Sequence, residues 1–185
     1  MGLLRSAAVG LLLFAAGCSS VRTGFGYRQV SGSYSIYDYD GTILFVRVQE
    51  NKKLGENLEG YLRGDFICGE VCAEPESLRG SANGFFGVVG TGVSYSLADW
   101  LSVDFGGELF NSRYDMEFCH GRVGMTTPDS VWGWGLNAGV TLQKPIGERG
   151  FFFISGGYNL DDTMTRESNV NFSGAFGVVG VGIEF

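Results

Sequence analysis

The sequence predicts an all-β fold, an eight-stranded antiparallel up-and-down transmembrane β-barrel. Apolar and polar residues alternate with a period of two through most of the chain, and no segment shows a helical period. Glycine is the commonest residue, at 31 of 185, aromatic residues make up 14%, and there are only 3 prolines. This composition favours strands packed closely around a small barrel. The last segment, 177–185, ends on Phe185, and a barrel would pair that otherwise open edge.

Eight segments carry the strand pattern, and they differ in how they are connected. We expect strands near residues 23–37, 42–50, 56–66, 84–97, 101–114, 131–143, 151–160 and 172–185. Short turns at 51–55, 98–100 and 145–148 alternate with longer polar segments at 67–83, 115–130 and 161–171. Short periplasmic turns and longer external loops are typical of bacterial outer-membrane barrels. The pattern therefore predicts an outer-membrane protein with both chain ends in the periplasm.

The distribution of charge supports a membrane barrel over a soluble β-sandwich. Apolar residues alone define one face of each strand, for example Leu44, Val46 and Val48 in the second strand. The charged residues then fall on the opposite face, and they are Arg47, Glu59, Arg63, Asp65, Asp104, Glu108 and Glu184. A basic residue facing the bilayer midplane costs ~2–4 kcal/mol, so a lipid-exposed barrel requires this separation. A sandwich would place its apolar residues inside and its charges outside.

The first strand fits this pattern less well than the others. Phe25 and Tyr27 favour odd positions on the lipid face and place Arg28 inside, whereas Tyr34 and Ile36 favour the other face. A β-bulge between the two halves would switch the register.

Charged residues are expected to fill the barrel, because eight strands enclose room only for side chains. The predicted interior network consists of Arg28, Arg47, Glu59, Arg63, Asp104 and Glu108. Each buried ion needs a partner to offset its loss of hydration. The alternative interpretation is a gated path through a narrow ion-conducting pore. Aromatic residues at the two membrane interfaces are predicted to be Trp100, Trp132, Trp134 and Phe185.

The N-terminal segment has the features of an export signal. Arg5 precedes an apolar run, and Ala15-Ala16-Gly17 provides small residues for cleavage. Cys18 follows directly, and this arrangement resembles the bacterial lipobox, in which the cysteine carries the lipid. We therefore expect a signal peptide at 1–17, a lipidated linker at 18–22 and a barrel domain at 23–185. The alternative is ordinary signal-peptidase cleavage beside an incidental cysteine.

Three further cysteines, Cys68, Cys72 and Cys119, fall in predicted outer loops. In an oxidising compartment they are disulfide candidates, with one thiol left over. A metal site including His120 is the weaker alternative, since a second Cys-x-x-Cys is lacking. The net charge of −7 argues against nucleic acid as a partner, because phosphate binding requires a basic surface.

The sequence gives little support to catalysis, and we expect neither cofactor nor metal. His120 is the only histidine, so any histidine-based acid–base site must use it. A lipid A-modifying barrel enzyme is the alternative, with Ser112 or Ser130 as its serine.

A family resemblance is carried by two motifs. The segments Phe86-Gly87-Val88-Val89-Gly90 and Tyr95-Ser96-Leu97-Ala98-Asp99-Trp100-Leu101-Ser102-Val103 form a strand, a Tyr-x-x-x-Asp-Trp turn and a returning strand. Together with the closing strand 179–185, they resemble the small outer-membrane barrels of the Ail/OmpX type. Opacity-type and OmpA-type barrels have similar motifs.

The resemblance implies contact with outer-membrane lipids, assembly by the barrel-insertion machinery, and a role in adhesion, binding of host or cell-surface ligands, or envelope integrity. The host-binding members use basic and aromatic loops, whereas the predicted outer loops here are acidic, which disfavours heparin-like ligands.

Overall fold

The computed structural model describes residues 18–34, 37–67, 70–73, 80–118, 130–163, 169–171 and 173–185. Side chains are described within 18–29, 42–66, 87–111, 132–161 and 173–185. The strands are β1 (Ser20–Tyr34), β2 (Tyr37–Lys53), β3 (Leu58–Ile67), β4 (Glu70–Ala73), β5 (Gly80–Ala98), β6 (Leu101–Phe118), β7 (Ser130–Ile146), β8 (Gly150–Thr163), β9 (Asn169–Asn171) and β10 (Gly174–Glu184). The described residues contain no helix that could cross a membrane.

The strands form a closed antiparallel eight-stranded barrel, as the sequence predicts. We call each of its eight walls a stave, and a stave is either one long strand or a long strand with its short continuation. Each stave pairs with its neighbours along the chain, and β10 pairs with β1 to close the ring. β4 continues β3 along β5 in the same register, and β9 extends the last stave by pairing with β1 beyond β10. Where the ring of pairings is complete, each stave is paired on both edges, so its backbone donors and acceptors are satisfied within the barrel.

The two ends of the barrel differ in their connections. The terminus end carries Ser20 and Glu184, which pair with each other, and the turns at 54–57, 99–100 and 147–149. The loop end is the opposite end, where β4 and β9 lie and where β1 and β2 meet at the register pair Tyr34–Tyr37. Amide groups beside the first and last strands are bonded, since Ser19 N donates to Asn51 O at 2.7 Å and Phe185 N donates to Ser19 O at 3.0 Å.

The first hairpin differs from the prediction in two respects. β1 pairs with β2 without a shift from Ser20–Asn51 to Tyr34–Tyr37, so the bulge predicted for the first strand is wrong. The strand also begins at Ser20 rather than at residue 23, and β2 begins at Tyr37 rather than at 42. Strands continue past the apolar band because backbone groups still gain from pairing with each other there.

Side chains alternate between an apolar outside and a filled inside. The outward row of β7 is exposed throughout and comprises Trp132, Trp134, Leu136, Ala138, Val140 and Leu142. Inward positions are buried, and the apolar ones form one cluster of Ile43, Phe45, Val88, Phe110, Phe151, Phe153, Phe176 and Val178. The lipid faces assigned from the sequence agree with this pattern of exposure.

Glycines make room for the large residues inside the barrel. Three inward glycine pairs lie directly across neighbouring strands, and they are Gly24 with Gly180, Gly92 with Gly106, and Gly139 with Gly157. An aromatic side chain covers each pair: Phe153 lies on Gly180, Tyr61 on Gly92 and Gly106, and Phe176 on Gly139 and Gly157. Cβ atoms at these positions would occupy the space that the rings fill.

Adding one methyl group inside should therefore cost more than adding one outside. A Cβ on Gly106 would collide with Tyr61 Oη and lie 2.6 Å from Thr91 O, whereas a Cβ on outward-facing Gly107 has only Gly135 O nearby, at 3.7 Å. We expect Gly106→Ala to lower the free energy of unfolding by about 1–3 kcal/mol. Gly107→Ala, the matched control, should stay within about 0.5 kcal/mol of wild type. Urea unfolding in lipid vesicles, followed by heat-modifiable gel migration, measures both; equal stability of the two variants would contradict the assignment.

Candidate functional site: the charged interior

Six charged side chains form an alternating series across the middle of the barrel. In order of contact, this interior charge chain consists of Asp161, Arg28, Glu108, Arg63, Asp65 and Arg47. Each of the six side chains is at most 5% exposed. Three arginines face three carboxylates, so the formal charges of the chain cancel. A buried ion is costly without a partner, and alternation gives every member at least one.

Glu108 is the centre of the interior charge chain. Its Oε1 accepts a hydrogen bond from Arg28 Nη2 at 2.5 Å, and its Oε2 accepts one from Arg63 Nη2. Arg28 Nη2 also binds Asp161 Oδ2. One guanidinium nitrogen of β1 therefore joins carboxylates from β6 and β8, which lie on other sides of the lumen.

The other half of the chain rests on a direct cross-strand pair. Arg47 on β2 and Asp65 on β3 are register partners. Arg47 Nε and Nη2 donate to the two Asp65 oxygens, each at 2.7 Å, which is the bidentate geometry that makes arginine–carboxylate pairs strong. Arg63 shares the inward face of β3 with Asp65 because residues two apart in a strand point the same way, and its Nε lies 4.0 Å from Asp65 Oδ2.

Neutral groups complete the surroundings of the arginines. Asn137 Oδ1 accepts from Tyr61 Oη at 2.9 Å and from Arg63 Nη1 at 3.3 Å. The guanidinium of Arg47 lies 5.1 Å from the centre of the Phe45 ring and 5.3 Å from that of Phe176. Such cation–π contacts suit an arginine held away from water.

A second, looser polar cluster lies nearer the terminus end. Arg22 Nη2 donates to Gln143 Oε1 at 3.4 Å and lies 4.0 Å from Glu59 Oε2. Asp104 Oδ2 accepts from Thr141 Oγ1 at 2.6 Å. The predicted network joins Glu59 and Asp104 to Arg28, Arg47 and Arg63; in the structure Glu59 lies beside Arg22 and Asp104 is hydrogen-bonded to Thr141 instead.

Three charged residues of the interior are absent from the predicted network, namely Arg22, Asp161 and Asp65. The sequence predicts a linker at Arg22 and an outer loop at Asp161, whereas both residues lie on strands and point inward. Asp65 is predicted to face inward, but the predicted network does not contain it. Extending the alternation outward from Arg28 and from Phe153 would have found the first two.

The remaining predicted residues lie at the two rims or outside the described residues. Trp100 is exposed in a terminus-end turn, Trp132 and Trp134 are exposed on β7 towards the loop end, and Phe185 is 75% exposed at the terminus end. Cys18 is a partly exposed free thiol. The remaining candidate residues are outside the described residues or have side chains that are not described, and they are Cys68, Cys72, Ser112, Cys119, His120 and Ser130.

The charged side chains of the interior pair with one another and are not available to bind a ligand. In the described part of the chain, no group of three or more His, Cys, Asp or Glu side chains could hold a metal ion. The carboxylates of the interior charge chain are all engaged with arginines. The geometry is that of a filled interior, and its chemistry is structural.

Removing the central carboxylate should destabilise the barrel more than removing an exposed one. Glu108→Gln leaves Arg28 and Arg63 without their shared partner, and breaking a buried ion pair from one side costs about 3–5 kcal/mol. Asp99→Asn, in an exposed turn, is the control for loss of one negative charge. Urea unfolding in lipid vesicles should show a large loss for the first variant and little change for the second. A wild-type midpoint for Glu108→Gln would refute the central role of this residue.

The sequence matches no protein-family model and no curated protein. The structure is similar to that of Ail, the attachment invasion locus protein of Yersinia pestis, with a TM-score of 0.58 and 12% identity over 90% of this chain and 99% of that chain. It is equally similar to the outer membrane protein OprG of Pseudomonas aeruginosa, at 0.58 and 13% identity over 91% and 98%. Neisserial surface protein A gives 0.50 and 13% identity over 90% and 97%. The chain therefore has the fold of the small eight-stranded outer-membrane barrels, as its resemblance to the Ail/OmpX type predicts.

Proposed function

We propose that this protein is an integral outer-membrane barrel, anchored in addition by a lipid on Cys18, that acts through its external surface in surface interaction or adhesion. The observation that carries the proposal is the contrast between a filled, charge-balanced interior and a largely apolar exterior in the described part of the barrel. Every member of the interior charge chain is paired with a residue of the barrel itself, and the apolar exterior fits the hydrocarbon of a membrane. Binding of a ligand is therefore assigned to the loop end. Envelope integrity is the alternative role, and it would use the same barrel without a ligand.

The exterior supports insertion into a bilayer. Most outward residues of the long staves are apolar, although Thr23, Gln29 and Thr91 are also exposed there, and exposed aromatic residues lie at both rims. The turns at 54–57, 99–100 and 147–149 lie at the terminus end, and we assign this end to the periplasm because short turns are typical of the periplasmic side of bacterial barrels. We therefore propose outer-membrane lipids and the barrel-insertion machinery as partners of the protein, with both chain ends in the periplasm.

The filled interior weighs against the two alternative functions. An ion path would have to cross the interior charge chain, in which arginines from β1, β2 and β3 engage carboxylates from β3, β6 and β8. A histidine-based acid–base site would have to use His120, since the chain has no second histidine. We propose a non-enzymatic role that requires neither cofactor nor metal.

The charge of the external segments narrows the class of ligand. Ail has been crystallised with the heparin analogue sucrose octasulfate, a polyanion. Here the net charge is −7, and the segment between β3 and β5 carries Glu70, Glu74 and Glu76. Repulsion disfavours a sulfated ligand, so we propose that a host or cell-surface ligand of this protein is neutral or basic.

Replacing the external connections tests the proposed role. Residues 74–79 and 119–129 would each be exchanged for a short Gly–Ser turn, with the same exchange of the terminus-end turn 54–57 as control. We expect loss of binding of intact cells to immobilised basic host-matrix proteins for the first two variants only, with heat-modifiable migration retained. Unchanged binding with increased leakage of a periplasmic enzyme would favour the envelope role, and unchanged binding without leakage would contradict both.

The position of Cys18 supports lipid attachment beside the barrel wall. Only Ser19 separates Cys18 from β1, and Ser19 is bonded to both Asn51 and Phe185. An acyl chain on Cys18 would therefore enter the membrane next to the strand that closes the barrel. A single chain adds ~0.8 kcal/mol of membrane affinity per buried CH₂.

Cys18→Ser should abolish incorporation of labelled palmitate while leaving the protein in the outer-membrane fraction, because the barrel itself remains inserted. Cys72→Ser is the matched control and should keep its label. Retention of label by Cys18→Ser would show that this cysteine is not the attachment site.

A further inference from the structure

The closing strand β10 lacks charge on most of its inner face. Its inward residues up to Gly182 are Gly174, Phe176, Val178, Gly180 and Gly182, and the next inward residue, Glu184, is exposed at the rim. β10 lies between β8 and β1 and pairs with both. No member of the interior charge chain belongs to β10.

At the loop end, an ion pair passes over β10. Arg28 on β1 is the register partner of Phe176 on β10, and its guanidinium continues past that strand to Asp161 on β8. Asp161 is also fastened to the residue that precedes β10, because its backbone N–H donates to Ser173 Oγ at 2.9 Å. We name the Arg28–Asp161 pair the outer strap.

At the terminus end, a second arginine of β1 makes a similar crossing. Arg22 is the register partner of Gly182, which the Phe151 ring of β8 covers. The Arg22 guanidinium lies over Phe151 and Phe153, at 5.5 and 5.9 Å from their ring centres, and reaches Gln143 on β7. We name the Arg22–Gln143 contact, with the two rings beneath it, the terminal strap.

We propose that these two straps hold the seam of the barrel closed from inside. While β10 stays paired with β8, the ladder between β1 and β10 opens only if β1 moves away from β8 and β7. That movement must break the outer strap at one end of the seam and the terminal strap at the other. The straps therefore add a direct link between β1 and the strands beyond β10, independent of the backbone hydrogen bonds of β10 itself.

Hydrogen exchange of the backbone amides, measured on the full-length protein in lipid vesicles, tests the proposal. Asp161→Asn should accelerate exchange about tenfold or more at the loop-end part of the seam, around Phe176 and its partner Arg28. Arg22→Gln should do the same at the terminus-end part, around Gly182. Lys144→Gln removes one exposed positive charge and serves as the control, with exchange at wild-type rates.

The internal reference is the β5–β6 ladder around Gly92 and Gly106, which neither strap touches. Faster exchange at the seam with an unchanged β5–β6 ladder supports the straps. Equal acceleration of both ladders would show general destabilisation and overturn the proposal. Unchanged exchange at the seam in both variants would also overturn it.

Discussion

The two ion pairs that Glu108 makes, one with Arg28 and one with Arg63, are the constraint on which the interior depends. Through it, β1, β3 and β6, which lie on different sides of the lumen, share one carboxylate. Three arginines are accommodated in a space of low polarity only because this carboxylate and two others neutralise them. The apolar residues of the lumen then pack around a neutral core, with Phe45 and Phe176 against Arg47.

Space for that core comes from residues that have no side chain. Tyr61 reaches Asn137 because Gly92 and Gly106 leave its hydroxyl room, and Arg63 lies against Gly90 for the same reason. The high glycine content of the chain is thus connected to the charge in its lumen. An eight-stranded barrel holds large ion-paired side chains on some staves only where neighbouring or facing staves carry glycine at their inward positions.

The sequence was sufficient for the fold and for the direction of most side chains, because lipid and lumen impose opposite preferences on alternate residues. It was insufficient at strand ends, where polar residues suit a loop and a strand equally, and so Arg22 and Asp161 were misassigned. It also could not distinguish which inward charges meet. Glu59 and Asp104 share faces with Arg63 and Glu108, but a displacement of four residues is about 13 Å along a strand. The stagger between staves decides the pairs, and alternation does not encode it.

The partners of Arg28 lie far along the chain, at separations of 80 and 133 residues. During synthesis and export, the first strand therefore carries a cation whose neutralising groups emerge much later. A chain that stops after β7 would lack Asp161 altogether. Contacts between such distant residues form slowly, since a long loop must close before they contribute. The barrel thus has a built-in dependence on completion: Arg28 of its first strand has both of its carboxylate partners only after Glu108 and then Asp161 have been made.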